Sequence, residues 1–290
     1  MKTYKLLVAF ALVITMCGCK QKDQSGKEEL FADDQLVAWC IVPFDASERT
    51  PLERAEMMNE LGLTKLAYDY RDKHIPSFKS EIEVLKEHHI ELSAVWLWLE
   101  PKGDDILGNA GRAIMETLEE TGTRTELWVS FPEQVFEGLS DELAQDRAVM
   151  ILSLVMEKAE AIGCTMALYN HGAWFGEPEN QIGIIRAMDN EQVRIVYNFH
   201  HGHQQVERFG ELMELMKPYL STININGMKV EGPKILTLGE GDRELEMLSI
   251  ILASGYSGSI GILGHTEGED IAVVLERNLE GLDKLRSQLQ

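Results

Sequence analysis

The chain has 290 residues, of which 44% are hydrophobic, and its 27 basic and 48 acidic side chains give a formal charge of −21. That apolar content supports a sizeable packed core rather than a disordered chain. A field this negative repels nucleic acid and anionic lipid surfaces and, more weakly, phosphorylated metabolites, so no nucleic-acid partner is expected.

Taken in chain order, the first element is an export signal. Lys2 and Lys5 precede the apolar stretch Leu6 to Met16, which is too short to span a bilayer as a stable helix, and Cys17-Gly18-Cys19 follows. The small Gly18 before Cys19 resembles a bacterial lipoprotein cleavage site, which would make Cys19 the lipidated terminus. Residues 1–19 are thus expected to be removed and residues 20–35 to act as a polar tether. The barrel domain is expected over 36–290. This places the protein outside the cytoplasm, in the periplasm or on a membrane surface, with an N-terminal lipid anchor as its only membrane contact. Cys40 and Cys164 then remain as buried thiols, without metal-site spacing.

From Leu36 onward two patterns alternate. Short apolar or aromatic runs recur at Val37–Phe44, Lys65–Tyr70, Glu91–Leu99, Glu126–Phe131, Thr165–His171, Val193–His200, Leu220–Asn226 and Ser259–Gly264, as parallel strands covered on both faces require. Helical stretches separate them: Pro51–Leu61, Ser77–His88, Gly108–Thr121, Asp141–Ile162, Pro178–Met188, Gln205–Met216, Asp242–Ser254 and Glu269–Leu289. Thr50-Pro51-Leu52-Glu53 is a capping box with proline at the first helical position, and Gly62, Gly122, Gly163 and Gly255 act as stops. Eight strand–helix repeats predict a single (β/α)8 TIM barrel. An open doubly wound sheet would carry a glycine-rich turn after the first strand, and none is present.

In a barrel of this kind the loops after the strands form the site. They deliver Asp69 and Arg71, Trp98 and Glu100, Tyr169, Asn170 and His171, then Asn198, His200, His201 and His203, Asn224, Asn226 and Lys229, Glu240, and finally His265. His74, His88 and His89 fall at or beside the second helix, where solvent exposure is expected. Among the tryptophans, Trp174 beside Phe175 in a polar loop is the candidate for stacking on a sugar ring.

Four stretches, Ala167-Leu-Tyr-Asn-His171, Val196-Tyr-Asn-Phe-His-His201, Leu236-Thr-Leu-Gly-Glu-Gly241 and Gly255-Tyr-Ser-Gly-Ser-Ile-Gly-Ile-Leu263, resemble the xylose-isomerase-like barrels of the sugar isomerase/epimerase superfamily. The resemblance implies a small carbohydrate substrate and proton abstraction next to a carbonyl at a divalent metal. It also implies metal ligands on strands five to eight, but the matching positions carry Tyr169, Asn198, Asn224 and Gly264 in place of the carboxylates and imidazole of typical members. Hard cations are held mainly by carboxylate charge, so the usual magnesium or manganese site is not expected. Three readings follow. A displaced, noncanonical site of His171, His201, His203 and His265 would suit a divalent transition metal such as zinc, nickel, cobalt or manganese. A metal-free enzyme would use His171 and His201 as acid and base, with Asn198, Asn224 and Lys229 polarising a carbonyl and Asp69, Arg71, Trp98, Tyr169, Trp174 and Glu240 holding the sugar. A noncatalytic sugar-binding lipoprotein is the third. Export favours oxidised sugars or glycosides over sugar phosphates. The leading expectation is a lyase or hydratase acting on a 3-keto-sugar, its glycoside or a glycal-like product, ahead of an isomerase or epimerase of a free ketose.

Overall fold

The computed structural model describes residues 30–32 and 35–289. The stretch expected to be an export signal, Cys19 and most of the expected tether lie outside the described residues. Among those described, no helix is long and apolar enough to cross a membrane.

Eight parallel strands close into a barrel in sequence order: β1 (Leu36–Trp39), β2 (Lys65–Tyr68), β3 (Glu91–Trp98), β4 (Glu126–Ser130), β5 (Thr165–Tyr169), β6 (Val193–Asn198), β7 (Leu220–Ile225) and β8 (Ser259–Leu263), with β8 pairing back onto β1. The long helices around it are α1 (Pro51–Glu60), α2 (Phe78–Glu87), α3 (Gly108–Thr121), α4 (Asp141–Ala161), α5 (Pro178–Met188), α6 (Phe209–Met216), α7 (Glu244–Ser254) and α8 (Ile271–Gln288). The expected (β/α)8 barrel is therefore present. The Thr50/Glu53 capping box is formed in both directions at the start of α1. Gly122 and Gly255 end α3 and α7 in the left-handed conformation, as C-terminal glycines do.

Several boundaries move, for local reasons. β1 stops at Trp39 instead of reaching Phe44, because Cys40 takes a left-handed φ of 58° and turns the chain out of the sheet. The stretch read as one helix from Gln205 begins as a 3-10 segment, His203–Arg208, and becomes α6 at Phe209. α8 begins at Ile271 because Asp270 caps it, its carboxylate accepting from the Ala272 N–H. Leu30 and Phe31, expected in the tether, are buried in the outer hydrophobic layer, so packing starts earlier than residue 36.

Two apolar layers result. The larger lies between the strands and the helices, and the smaller fills the barrel itself with Val37, Trp39, Ala67, Ala94, Trp128, Ala167, Tyr169, Val196 and Leu263. In the barrel, large residues sit beside small ones: Trp39 pairs with Ala67, and Trp128 with Ala167. The alanines leave room for the indoles, whose centroids meet edge to face at 4.9 Å.

Candidate active site

A pocket of about 230 Å³ opens at the C-terminal end of the strands. Trp39, Trp96 and Tyr169 form its floor and wall, Asp69 and Cys40 one side, His171, His200 and His201 another, and Arg71, Phe44, His265, Lys234 and Ile235 the mouth.

The imidazoles form a chain of rings. His171 and His201 lie 4.7 Å apart by centroid, His201 and His200 3.9 Å, and His200 and His265 6.1 Å. Trp98 stands edge-on to His171 at 5.5 Å, and Tyr169 edge-on to His201 at 5.4 Å. Desolvation lowers the pKa of His171, His201 and His265, and takes His200 down to about 3. All four are therefore neutral near pH 7, each with one ring nitrogen to donate and one to accept. The Nδ1 atoms of His171 and His200 are buried without a partner.

Asp69 faces this ring chain from the other side of the barrel, at the end of β2. Its side chain is 1% exposed, and Oδ1 has no hydrogen-bond partner. Burial raises its pKa to about 7, against the opposing pull of the Arg71 charge and a hydrogen bond from the Val42 backbone. The Cys40 thiol lies against it and is itself pushed well above its ordinary range, by burial first and by the Asp69 charge second. A carboxyl poised near neutrality opposite neutral imidazoles can accept and return a proton.

Other expected residues are held elsewhere. Asn198 and Asn224 do not line the pocket. They form a buried amide ladder in which Asn170 Oδ1 accepts from the Asn198 N–H at 2.8 Å and from Asn198 Nδ2 at 2.9 Å, and Asn198 Oδ1 accepts from Asn224 Nδ2 at 2.8 Å. The ladder ties β5, β6 and β7 together. Asn224 fits only because position 261 is glycine: a Cβ there would stand 1.7 Å from Asn224 Oδ1. Trp174 turns outward and donates to Asp141 at 2.9 Å, so it is no platform within this pocket. Glu240 lies in a separate groove between the loop before α7 and the α8 helix. Trp98 borders a neighbouring groove with Glu100 and touches the site through His171.

The expected loop lysine also changes. Residues 227–236 fold into a hairpin in which Gly227 and Leu236 exchange backbone hydrogen bonds of 3.0 and 2.7 Å, and the Lys229 N–H donates to Pro233. The Lys229 carbonyl is engaged by His203 Nε2 at 2.6 Å. The hairpin brings Lys234, rather than Lys229, to the mouth, together with Ile235. Two lysines five residues apart in one loop offer no sequence signal for which turns inward.

The displaced histidine metal site is not formed. His203 lies away from His171, His201 and His265, and no group of three histidine, cysteine or acidic side chains among the described residues could hold a metal ion. The ligand positions implied by the resemblance fit a divalent cation no better. Tyr169 packs against Trp39 and Trp128 at 5.6 and 6.3 Å, and Asn198 and Asn224 are committed to each other. On strand eight the alternation differs from the expected register: Gly264 points outward against Ile41 and Ile271, and Leu263 faces the barrel. An aromatic ring, two amides and an isobutyl group thus replace the charged set that a hard cation needs.

No protein-family model matches the chain, and no curated protein sequence matches it. Solved structures do. The IOLI protein with a bound zinc atom is 14% identical, with a TM-score of 0.64 over 88% of this chain and 99% of that one. The 3-keto-D-glucoside 4-epimerase YcjR from E. coli is 15% identical, with a TM-score of 0.64 over 87% and 99%. A xylose isomerase-like TIM barrel protein from Mycobacterium smegmatis in complex with magnesium is 15% identical, with a TM-score of 0.56 over 88% and 98%. At these identities the likeness is one of fold, the closed (β/α)8 barrel.

Proposed function

We propose that this chain is a carbohydrate-active enzyme that moves a proton next to a sugar carbonyl, using its own side chains and no metal. The observation that carries the reading is Asp69: a buried carboxyl with a pKa of about 7 and an unpartnered oxygen, facing neutral imidazoles across one small pocket. Brønsted behaviour favours an acid or base whose pKa lies near the working pH, and burial takes His171 and His201 below that optimum. Asp69 is accordingly the base, and His171 and His201 supply N–H donors and the returning proton. Two of the similar structures are sugar-epimerising enzymes by name, the 3-keto-D-glucoside 4-epimerase and the D-psicose 3-epimerase from Clostridium cellulolyticum H10.

The leading reaction is elimination and hydration on a 3-keto-sugar. A ketone at C3 acidifies the C2 proton. Ionised Asp69 takes that proton, the electron pair passes to the C3 oxygen as an enolate, and an imidazole N–H supports the developing charge. The carbonyl then reforms as the C1–O bond breaks, and the departing alkoxide takes up the proton that Asp69 removed, which regenerates the carboxylate. In the hydration direction, water adds at C1 and a proton returns to C2. A second reading, epimerisation, draws on the placement of Asp69 on β2 against His171 and His201 after β5 and β6: groups on opposite sides of a closed barrel can remove a proton from one face and return it to the other.

The test is proton NMR in D₂O of the full chain with a 3-keto-glucoside, its 2-hydroxy-3-keto-glycal, glucose and fructose. Release of the aglycone or hydration of the glycal supports the first reaction, and deuterium entry with inversion supports the second. Asp69→Asn should lower either turnover by ~10²-fold or more. Binding without any turnover would make the barrel a sugar-binding protein and end the proposal.

A further inference from the structure

The mouth of the pocket carries two cations that the proton-transfer scheme does not use. Arg71 lies over the Phe44 ring at 5.2 Å, and Phe44 in turn lies 3.7 Å from the His265 ring. The guanidinium is fixed on one side by a 2.8 Å hydrogen bond from Nη1 to the Tyr70 carbonyl, which leaves its other nitrogens directed to solvent or ligand. Lys234 sits across the mouth, its position set by the 227–236 hairpin and by Asn226, whose Nδ2 donates to the Lys234 carbonyl at 2.9 Å.

Neither cation has an ion-pair partner among the described residues; Arg124, Arg147, Arg186 and Arg194 also lack one, but Arg71 and Lys234 alone among the arginines and lysines described line this pocket. The two side chains also act on the same place. Both charges bear on His265, and Lys234 bears on His171, His200 and His201 as well. Asp69, deeper in the pocket, is the one acidic side chain in the lining and feels the Arg71 charge; Glu267 stands 4.0 Å from His265 with its side chain 84% exposed, and Glu133 acts on His171 from outside the lining.

We propose that the pocket is built for a sugar carrying a carboxylate, a hexuronate or its keto form, whose carboxylate sits over His265 between Arg71 and Lys234. One fork and one ammonium suit a monoanion, and the neutral imidazoles below add hydrogen bonds without adding charge. A pocket this small admits a single ring, placed with its acidic end at the mouth and its reacting carbons toward Asp69. The proposal rests on reading the pocket as a sugar site.

The test is calorimetric titration of the full chain with glucuronate, galacturonate and mannuronate, with the matching neutral hexoses, with glucose 6-phosphate and with succinate. At least one uronate is expected to bind ten times or more tighter than its neutral hexose, to weaken as salt is raised, and to lose that advantage in Arg71→Ala and Lys234→Ala. Arg71→Lys, which keeps charge without the fork, should recover part of it, and both positions are exposed enough to vary without disturbing the core. Equal affinity for acid and neutral sugars, or uronate binding unchanged in both alanine variants, would overturn the proposal while leaving the sugar reading intact. Tighter binding of glucose 6-phosphate than of every uronate would overturn the carboxylate assignment. Binding of succinate with no sugar bound would remove the sugar reading yet keep the anion site.

Discussion

Asp69 is expensive for the fold, and that cost is measurable. In the unfolded chain an aspartate titrates near 3.9, whereas burial takes Asp69 to about 7 in the folded protein. Between those values the folded state keeps a proton that the unfolded state has lost, so stability falls as pH rises through this window and is lowest above it. The difference is on the order of 4 kcal/mol. Asp69→Asn should therefore be more stable than the parent at pH 8 and close to it at pH 4, as measured by urea denaturation at the two pH values, while its turnover collapses. A variant that loses stability at pH 8 would mean that the carboxylate is a structural anchor. His201 illustrates the complementary point: its ring lies among three other rings, and desolvation lowers its pKa, the opposite direction to that of Asp69.

The helices around the barrel are joined by one buried charge pair with a clear expected response. Arg54 on α1 reaches Glu81 on α2 with two hydrogen bonds, of 3.1 and 3.3 Å, and the two side chains are 5% and 0% exposed. Burial raises the Glu81 pKa despite the facing guanidinium, so desolvation outweighs attraction there. Glu81→Ala strands a buried cation and should cost about 3–5 kcal/mol, whereas the double change Arg54→Met with Glu81→Leu should return most of that stability. Chemical denaturation of the three variants checks this, and a Glu81→Ala cost below about 1 kcal/mol would place the pair in contact with solvent. At the start of α1, Thr50→Ala should cost about 1 kcal/mol, since it removes one half of a capping box that is formed in full.

The barrel as a unit is filled by apolar side chains along its axis. Trp39, Trp128, Tyr169 and Leu263 occupy its centre, and the Asn198 and Asn224 amides bond to one another. The full chain is accordingly expected to carry no stoichiometric divalent metal by elemental analysis, and chelation should leave both its thermal midpoint and its turnover unchanged. One tightly held metal per chain, with activity lost on its removal, would contradict that expectation. Tyr169→Glu should not create a site. It places a carboxylate against two indoles without any charged partner, and lowered stability is the expected result.

The (β/α)8 rhythm was legible in the residues alone because hydrophobic periodicity, proline at a first turn and glycine at a helix end are local properties, each felt within a few residues. The loss of the charged ligand set was legible too, since Tyr169, Asn198 and Asn224 are visible as residue types. Which rim side chains face one another depended on packing over long separations. Asn198 and Asn224 could have pointed at a substrate, but a ladder from Asn170 and a glycine at 261 hold them out of the pocket lining. Lys229 and Lys234 are equivalent in sequence, and a backbone hairpin selects the second. Gly264, the position matched to a ligand, points outward while Leu263 faces the barrel, because a one-residue difference in register reverses the face of a strand. Asp69 is an ordinary aspartate until the closed barrel removes its water, and its pKa near neutrality is a property of the burial that only the tertiary structure imposes.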